Sequence, residues 1–272
     1  MNSKNKNHLT RNIIKKWYKK LGFPDLYDEE FETSLSETEI ADDISIDTYD
    51  LKSRDGKKNL LSFLYLCEEV EKKYSEKGLP EEVLIDTLRD IVTWCITWSN
   101  VKGELYLGEL LWLKRHLSMT IFKLGRLQYA FGNSEMDIPK YGISKGDPII
   151  EVHIPEGDRF TVDSCNASFA LAREFFKKHF PEYEYKAFTC HSWLLDDTLK
   201  KYLPEESGII RFGNMFDKIR EDESWALLRY LFLWDTTPLN LKYRYPASSL
   251  AAKVQKAYIG GEKFHETFGV II

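Results

Sequence analysis

The sequence predicts a two-part fold, a helical first half followed by a mixed α/β second half. Up to residue 118, apolar residues recur every three or four positions, the period of an amphipathic helix. Beyond that point, short runs rich in β-branched residues alternate with helical stretches. The 272 residues, 43% of them apolar, are enough for two domains. We therefore expect a helical domain at residues 1–120 and a mixed-sheet domain at residues 121–272.

In the first half, four apolar stripes with helical spacing are predicted at residues 13–21, 60–70, 83–98 and 104–117. The acidic segment SETEIADDISIDTYD, between the first two stripes, is predicted to be a loop or a weak helix.

The second half is predicted to begin with a strand, FKLGRLQYAFG, and a second strand at residues 148–155. A helix at residues 163–179, a strand at 185–193 and a short helix LDDTLKKYL follow. The remaining predicted elements are a strand SGIIRFGNMF, helices SWALLRYLFLW and PASSLAAKVQKAY, and a final strand HETFGVII.

Charge and cysteine usage limit the classes of function. The net charge is −5 and charges of both signs are interleaved, so a basic nucleic-acid-binding face is not predicted. The Lys-rich start lacks the apolar segment of a secretory signal, and no run reaches the roughly 18 apolar residues of a membrane span. The cysteines lie in apolar segments without a C-x-x-C pair, which favours reduced thiols and a cytoplasmic location over a disulfide. They are Cys67, Cys95, Cys165 and Cys190.

The strand–helix–strand order across residues 148–193 predicts two parallel strands joined by a crossover helix. Parallel strands have their carboxyl ends at one edge of the sheet, where ligands of open α/β sheets bind. His153 and Glu156 end the first strand, while Cys190 and His191 end the second. Topology alone therefore predicts a site at this edge.

Strand alternation separates the polar side chains of the second strand. Cys190 and His191 point to opposite faces, so a thiolate–imidazole pair is disfavoured and Cys190 is predicted to pack in the core. His191 either faces the cleft or closes the strand through a hydrogen bond. On the first strand, Glu151 and His153 share a face, which lines a cavity or simply faces solvent.

Two other ligand classes have weak signals. The loop PEGDRF offers backbone amides to a phosphate, but it holds one glycine, and Asp158 and Asp163 oppose an anion. The His and Cys residues of the second half lack zinc-type spacing, so no metal is predicted. These are His153, His191, Cys165 and Cys190.

Three motifs, in this order, resemble a known family. They are WLKRHLSMTIFKLGRLQYAF at residues 112–131, EVHIPEG at 151–157 with a following AREFF helix, and FTCHSWLL at 188–195. Together they resemble bacterial acyltransferases built from an N-acyltransferase N-terminal domain and a GNAT-like C-terminal domain. The resemblance spans most of the chain. It implies a GNAT-like sheet in which acyl-CoA enters where two parallel strands splay apart, and an amine acceptor attacks the thioester.

The resemblance also implies roles for individual residues. His153 or Glu151 would take a proton from the amine, and strand N–H groups or His191 would stabilise the oxyanion. Tyr202 would protonate the departing thiolate, unless it only packs against its helix neighbours. Residues at the strand ends and in the loop would contact acyl-CoA. They are Ile154, Glu156, Gly157, Arg159, Ser192 and Trp193.

We therefore predict an acyl-CoA-dependent N-acyltransferase that uses a small-molecule donor and an amine acceptor, without nucleic acid, membrane or metal. The N-terminal helices would supply part of the acceptor pocket or brace the sheet. One alternative is a non-catalytic GNAT-like module that binds a small molecule or a protein. It is favoured by the loop at residues 155–164, which lacks the family's Arg/Gln-x-x-Gly-x-Gly/Ala pattern. The other alternative, a hydrolase with a Cys190 or Cys165 nucleophile, is disfavoured by the strand alternation.

Overall fold

A computed structural model describes residues 3–40, 44–157 and 160–272 of the protein. The chain divides into two compact units, residues 1–123 and 124–272.

The first unit is helical, as the apolar periodicity predicts. Its helices are α1 (Ser3–Leu21), α2 (Asp28–Glu37), α3 (Gly56–Glu76), α4 (Glu81–Leu88), α5 (Asp90–Lys102) and α6 (Leu110–Leu117). Trp17 on α1 is fully buried, and its indole N–H donates to Glu68 of α3 at 3.0 Å. The third predicted stripe is divided at Arg89 into α4 and α5. In the acidic segment, Ser36 and Glu37 end α2, the other described residues form turns and loop, and residues 41–43 lie outside the described residues.

The second unit holds most of the sheet. The strands are β1 (Ile121–Leu124), β2 (Leu127–Asn133), β3 (Pro148–His153), β4 (Phe188–Ser192), β5 (Asp217–Glu223) and β6 (His265–Ile271). The helices are α7 (Val162–His179), α8 (Gly208–Gly213), α9 (Leu227–Leu231) and α10 (Ser249–Ile259). Short 3₁₀ turns at Pro139–Tyr141, Trp193–Leu195, Asp197–Lys201 and Leu241–Tyr243 complete the second unit.

The six strands form one mixed sheet in the order β1-β2-β3-β4-β6-β5. β3 and β4 are parallel, as the crossover predicts, and the other pairings from β2 to β5 are antiparallel. This is the fold that the resemblance implies, a helical region followed by a mixed sheet with flanking helices.

The two faces of the sheet differ. One face carries aromatic side chains that pack on α7: the ring of Phe169 lies 5.4 Å from Phe188 and 5.8 Å from Tyr129. On the opposite face lies a smaller apolar cluster, to which Ala187, just before β4, and Phe268 and Val270 of β6 belong. That cluster includes Ile138 and Ile143 from the loop between β2 and β3.

Two predicted elements of the second half are wrong, and one strand was not predicted. FKLGRLQYAFG forms two strands, because Gly125 takes a left-handed conformation (φ 70°) that turns the chain between β1 and β2. SGIIRFGNMF contains helix α8 instead of a strand; Ser207 caps it by accepting from Ile210 N–H at 3.2 Å. The strand β5 was not predicted, because its sequence DKIREDE is almost entirely charged.

Candidate active site at the gap between β3 and β4

The two parallel strands pair over a short distance only. Their register contains two pairs, Ile150 with Phe188 and Glu151 with Thr189. Each strand continues beyond this point on its other side, since His153 pairs with Gln128 of β2 and Ser192 with Thr267 of β6. The pairing of β3 and β4 therefore stops before their carboxyl ends, and we call this unpaired stretch between the two strands the gap.

Main-chain polar groups face this gap. The ladder begins with Ile150 N–H donating to Ala187 C=O at 2.9 Å. Bonds of a parallel ladder involve every second residue, so the next bond after the last register pair would join His191 N–H to Val152 C=O. That bond lies beyond the register, and both groups are directed into the gap. Such groups at a strand edge can bind an extended amide-containing ligand as an added strand.

A histidine and a carboxylate lie together at the end of β3. His153 Nε2 is 3.4 Å from Glu151 Oε2, and both side chains are about one-third exposed (30% and 33%). Because they are two residues apart on one strand, they share the face opposite α7. A half-buried imidazole beside a carboxylate can accept a proton and hold it.

The structure places His191 on the same face as His153 but turns its ring away from the gap. The face is the same because Glu151 and Thr189 are register partners, and each histidine follows one of them by two residues. The ring, however, extends across β6: its Nε2 lies 3.6 Å from Asp222 Oδ2 on β5, two strands away. Asp222 also accepts from Arg220 Nε at 2.7 Å. At the gap, His191 therefore contributes its main-chain N–H.

The cysteines are core residues, as predicted for Cys190. Cys190 is 1% exposed, and burial raises the pKa of its thiol well above the ordinary value. Cys165 is also buried, and burial raises its pKa against the opposing charge of Arg126. Both thiols are therefore neutral at physiological pH, which disfavours a thiolate nucleophile.

The connection from β3 to α7 contains most of the residues that are predicted to contact acyl-CoA. Ile154 is half-buried, Glu156 is exposed, and Gly157 takes a left-handed conformation with φ 115°. Arg159, the fourth predicted contact in this connection, lies outside the described residues. Helix α7 begins with a capping box, in which Thr161 Oγ1 accepts from Ser164 N–H at 3.2 Å.

Arg126, in the turn between β1 and β2, holds this connection and was not predicted. Its guanidinium is buried, donates to Pro155 C=O at 2.8 Å and lies 5.0 Å above the ring of Phe160. It therefore contacts both ends of the segment that joins β3 to α7. An arginine in the apolar motif LGRLQ was the available sequence signal, because a buried guanidinium requires specific partners.

The predicted residues at the end of β4 and after it make structural contacts. Ser192 Oγ accepts from Leu194 N–H at 3.2 Å and caps the turn that begins at Trp193. The Trp193 ring packs 6.0 Å from Tyr230. The hydroxyl of Tyr202 donates to Glu262 at 3.2 Å, and burial together with this carboxylate raises the pKa of Tyr202. A phenol with a raised pKa is a weaker acid for a departing thiolate.

Within the described ranges, no three His, Cys, Asp or Glu side chains come together as a metal site. A helix long and apolar enough to span a membrane is likewise absent from the part of the chain that the structure describes.

Comparison with known families and structures identifies the chain. Residues 121–271 match the GNAT-like C-terminal domain, and residues 26–119 match the N-acyltransferase N-terminal domain. The first match alone covers more than half of the chain, so the protein belongs to the family that combines these two domains. No curated protein sequence matches the chain significantly.

Solved acyltransferase structures share the fold. One, in complex with decanoyl-CoA and teicoplanin, aligns with a TM-score of 0.77 at 22% identity, covering 94% of this chain and 86% of its own. Another, in complex with decanoyl-CoA, aligns with a TM-score of 0.68 at 26% identity, covering 78% of this chain and 64% of its own. A third contains CoA and 10C-teicoplanin and aligns with a TM-score of 0.77 at 22% identity, covering 94% of this chain and 86% of its own.

These matches confirm the predicted family, the predicted fold class and the prediction of an acyl-CoA-dependent acyltransferase of GNAT type. The acceptor and the roles of individual residues stay predictions.

Proposed function

We propose that the protein transfers an acyl group from acyl-CoA to the amine of a small molecule, and that the reaction takes place at the β3–β4 gap. One observation carries this proposal. The pairing of β3 and β4 stops after Glu151 and Thr189 while both strands continue, and the Glu151–His153 pair lies where it stops.

The donor would bind along the opened strand edges. The pantetheine arm of CoA contains two amides, which suit the main-chain groups of Val152 and His191 in the gap. The thioester oxygen becomes negatively charged when the amine attacks, and the His191 main-chain N–H is the donor that we assign to it. The residues predicted at the strand ends and in the loop stay the proposed contacts of the donor. They are Ile154, Glu156, Gly157, Arg159, Ser192 and Trp193.

The Glu151–His153 pair is our choice for the base. The amine nitrogen attacks the carbonyl carbon of the thioester, and its proton passes to the pair, directly or through one water. The C–S bond then breaks, and CoA leaves as a thiolate that takes up a proton. Tyr202 stays a proposed acid for this last step, although its hydroxyl must first leave Glu262.

A small-molecule amine is the proposed class of acceptor. A similar acyltransferase has been crystallised with teicoplanin, and the family name specifies N-acyl transfer. We further propose domain boundaries at residues 1–120 and 121–272. A cytoplasmic location and a bacterial source stay predictions from the cysteines and the motifs.

Release of free CoA tests this function. The protein is incubated with decanoyl-CoA and a panel of small amines; thiol release is followed optically and the amide product by mass spectrometry. We expect amine-dependent thiol release matched by amide formation. Binding of decanoyl-CoA without turnover for any amine would favour the non-catalytic binding module, which the single glycine at residues 155–164 also favours.

A further inference from the structure

Gly132 of β2 has no conformational reason to be glycine. It is absent from the residues with left-handed backbone and pairs regularly with Ile149 of β3. Glycine within a strand lowers stability, because it gains no side-chain packing and loses more backbone entropy than other residues. Such a glycine commonly marks a place where another group approaches the backbone closely.

The approaching group is the carboxylate of Glu151. A Cβ atom at position 132 would lie 2.6 Å from Glu151 Oε1 and 2.8 Å from its Cγ, closer than atoms can pack. Glu151 pairs with Ala130, so Gly132 is its diagonal neighbour on the adjacent strand. The missing side chain therefore provides the space in which the carboxylate lies against β2.

The two oxygens of this carboxylate have different neighbours. Oε1 occupies the space above Gly132, and Oε2 lies 3.4 Å from His153 Nε2. Since the two oxygens move together, a side chain at position 132 would displace both. The space above Gly132 thus determines how the carboxylate meets the imidazole.

Tyr183 holds Gly132 in place from the other side. Its hydroxyl donates to Gly132 C=O at 2.6 Å, shares this proton with Ile149 C=O at 2.9 Å, and accepts from Gly132 N–H at 3.2 Å. Burial raises the pKa of Tyr183, so the hydroxyl keeps the proton that it donates. Both polar groups of the Gly132 backbone are therefore bound by one phenol.

We propose that Gly132 is a positioning residue for the Glu151–His153 pair, a role that rests on the proposed function of this pair as the base. The glycine keeps free the volume that the Glu151 carboxylate needs to contact His153.

Gly132→Ala is the direct test. The atoms nearest to the added methyl are Cγ, Cδ and Oε1 of the Glu151 side chain, which can rotate away, so the variant is expected to fold with an unfolding midpoint at or above that of the wild type. We expect kcat to fall by about 10- to 100-fold, because small misplacements of a catalytic group have effects of this size. The KM for decanoyl-CoA is expected to stay unchanged.

A double-mutant cycle with Glu151→Ala separates positioning from other effects. Gly132→Ala is expected to cause no further loss of kcat when the Glu151 side chain is already absent. An equal loss in the presence and absence of Glu151 would overturn the proposal, since Gly132 would then act on something else.

Nuclear magnetic resonance of the His153 ring detects its contact with Glu151 and needs no turnover. Failure of this inference can therefore be distinguished from failure of the proposed function. Gly132→Ala and Glu151→Ala are expected to shift the His153 ring signals in the same direction. Unchanged His153 signals in Gly132→Ala would overturn the inference, whatever the activity. Full activity of Glu151→Ala and His153→Ala would instead refute the assigned base.

Discussion

Strand β4 is paired differently along its two edges. On the β6 side it forms five register pairs, from Phe188–Ile271 to Ser192–Thr267, whereas on the β3 side it forms two. The same residues therefore make a closed edge and an open edge. The closed edge is continuously paired with β6, and the open edge leaves main-chain groups for a ligand. The contrast shows that the site is made by interrupted pairing more than by any unusual side chain.

Each of the two strands also ends at a local signal. Pro155 follows β3 by two residues and has no N–H, so β3 cannot continue its pairing with β2 past this point. On β4, Ser192 is the last residue and caps the turn that begins at Trp193. β3 therefore ends at His153, and β4 ends one residue after His191.

The largest expected effect is at the open edge. His153→Ala is expected to lower kcat by about 10²- to 10⁴-fold, the range that general bases contribute. Steady-state kinetics with decanoyl-CoA measure this loss, and binding of decanoyl-CoA to the variant serves as its control. Activity within a factor of about two of the wild type, well below that range, would remove His153 from the mechanism.

At the closed edge, Gly269→Ala is expected to reduce stability. The new Cβ would lie 2.7 Å from Phe216 Cβ and 2.8 Å from Leu195 Cδ2, and a Cβ cannot move without its backbone. We expect a loss of about 1–3 kcal/mol, typical of overpacked cores. Thermal unfolding beside Gly132→Ala, where the contact is a mobile carboxylate, provides the matched comparison. Equal midpoints for the two variants would contradict the difference between the edges.

The variant His191→Ala tests both edges of β4 at once. The main chain of His191 lies at the open edge, whereas its ring crosses the closed edge. The exposed contact with Asp222 is expected to be worth about 0–1 kcal/mol, and kcat is expected to change by less than about fivefold. Steady-state kinetics of His191→Ala and His153→Ala, measured in parallel, compare the two losses of kcat. If His191→Ala lowers kcat as much as His153→Ala does, the His191 imidazole would again be a candidate to stabilise the oxyanion.

The smallest effect is expected for Cys190, whose thiol faces the α7 core. Because burial raises its pKa, the thiol is neutral at about pH 8 and is expected to resist iodoacetamide in the folded protein. Peptide mass spectrometry measures the modification alongside activity. Alkylation of Cys190 that abolishes activity while the protein stays folded would support the thiol-nucleophile alternative.

The sequence predicted the parts of the site that depend on periodicity. Alternation in EVHIPEG and FTCHSW placed Glu151 with His153 and separated Cys190 from His191, because side chains on a strand alternate regardless of tertiary context. The parallel arrangement followed from the crossover helix. These features of the open edge follow from local patterns in the sequence alone.

Other features of the fold and the site could not be predicted, because they depend on residues distant in the sequence or on segments whose local pattern is ambiguous. The direction of the His191 ring is set by Asp222, on a charged edge strand that is held by pairing with β6 and not by its own apolar pattern. The short helix α8 was mistaken for a strand, because a brief apolar run fits either element. The close approach of Glu151 to Gly132 joins two strands that no local pattern relates.

Isothermal titration with CoA, acetyl-CoA and decanoyl-CoA tests the central claim most directly, because it examines the gap without an acceptor. We predict one site per chain that binds an acyl-CoA more tightly than about 1 mM, within the range of enzyme–substrate affinities. His153→Ala is expected to keep this binding, since its ring acts on the amine. No binding of any CoA species at about 1 mM would contradict the assignment of the gap as an acyl-CoA site.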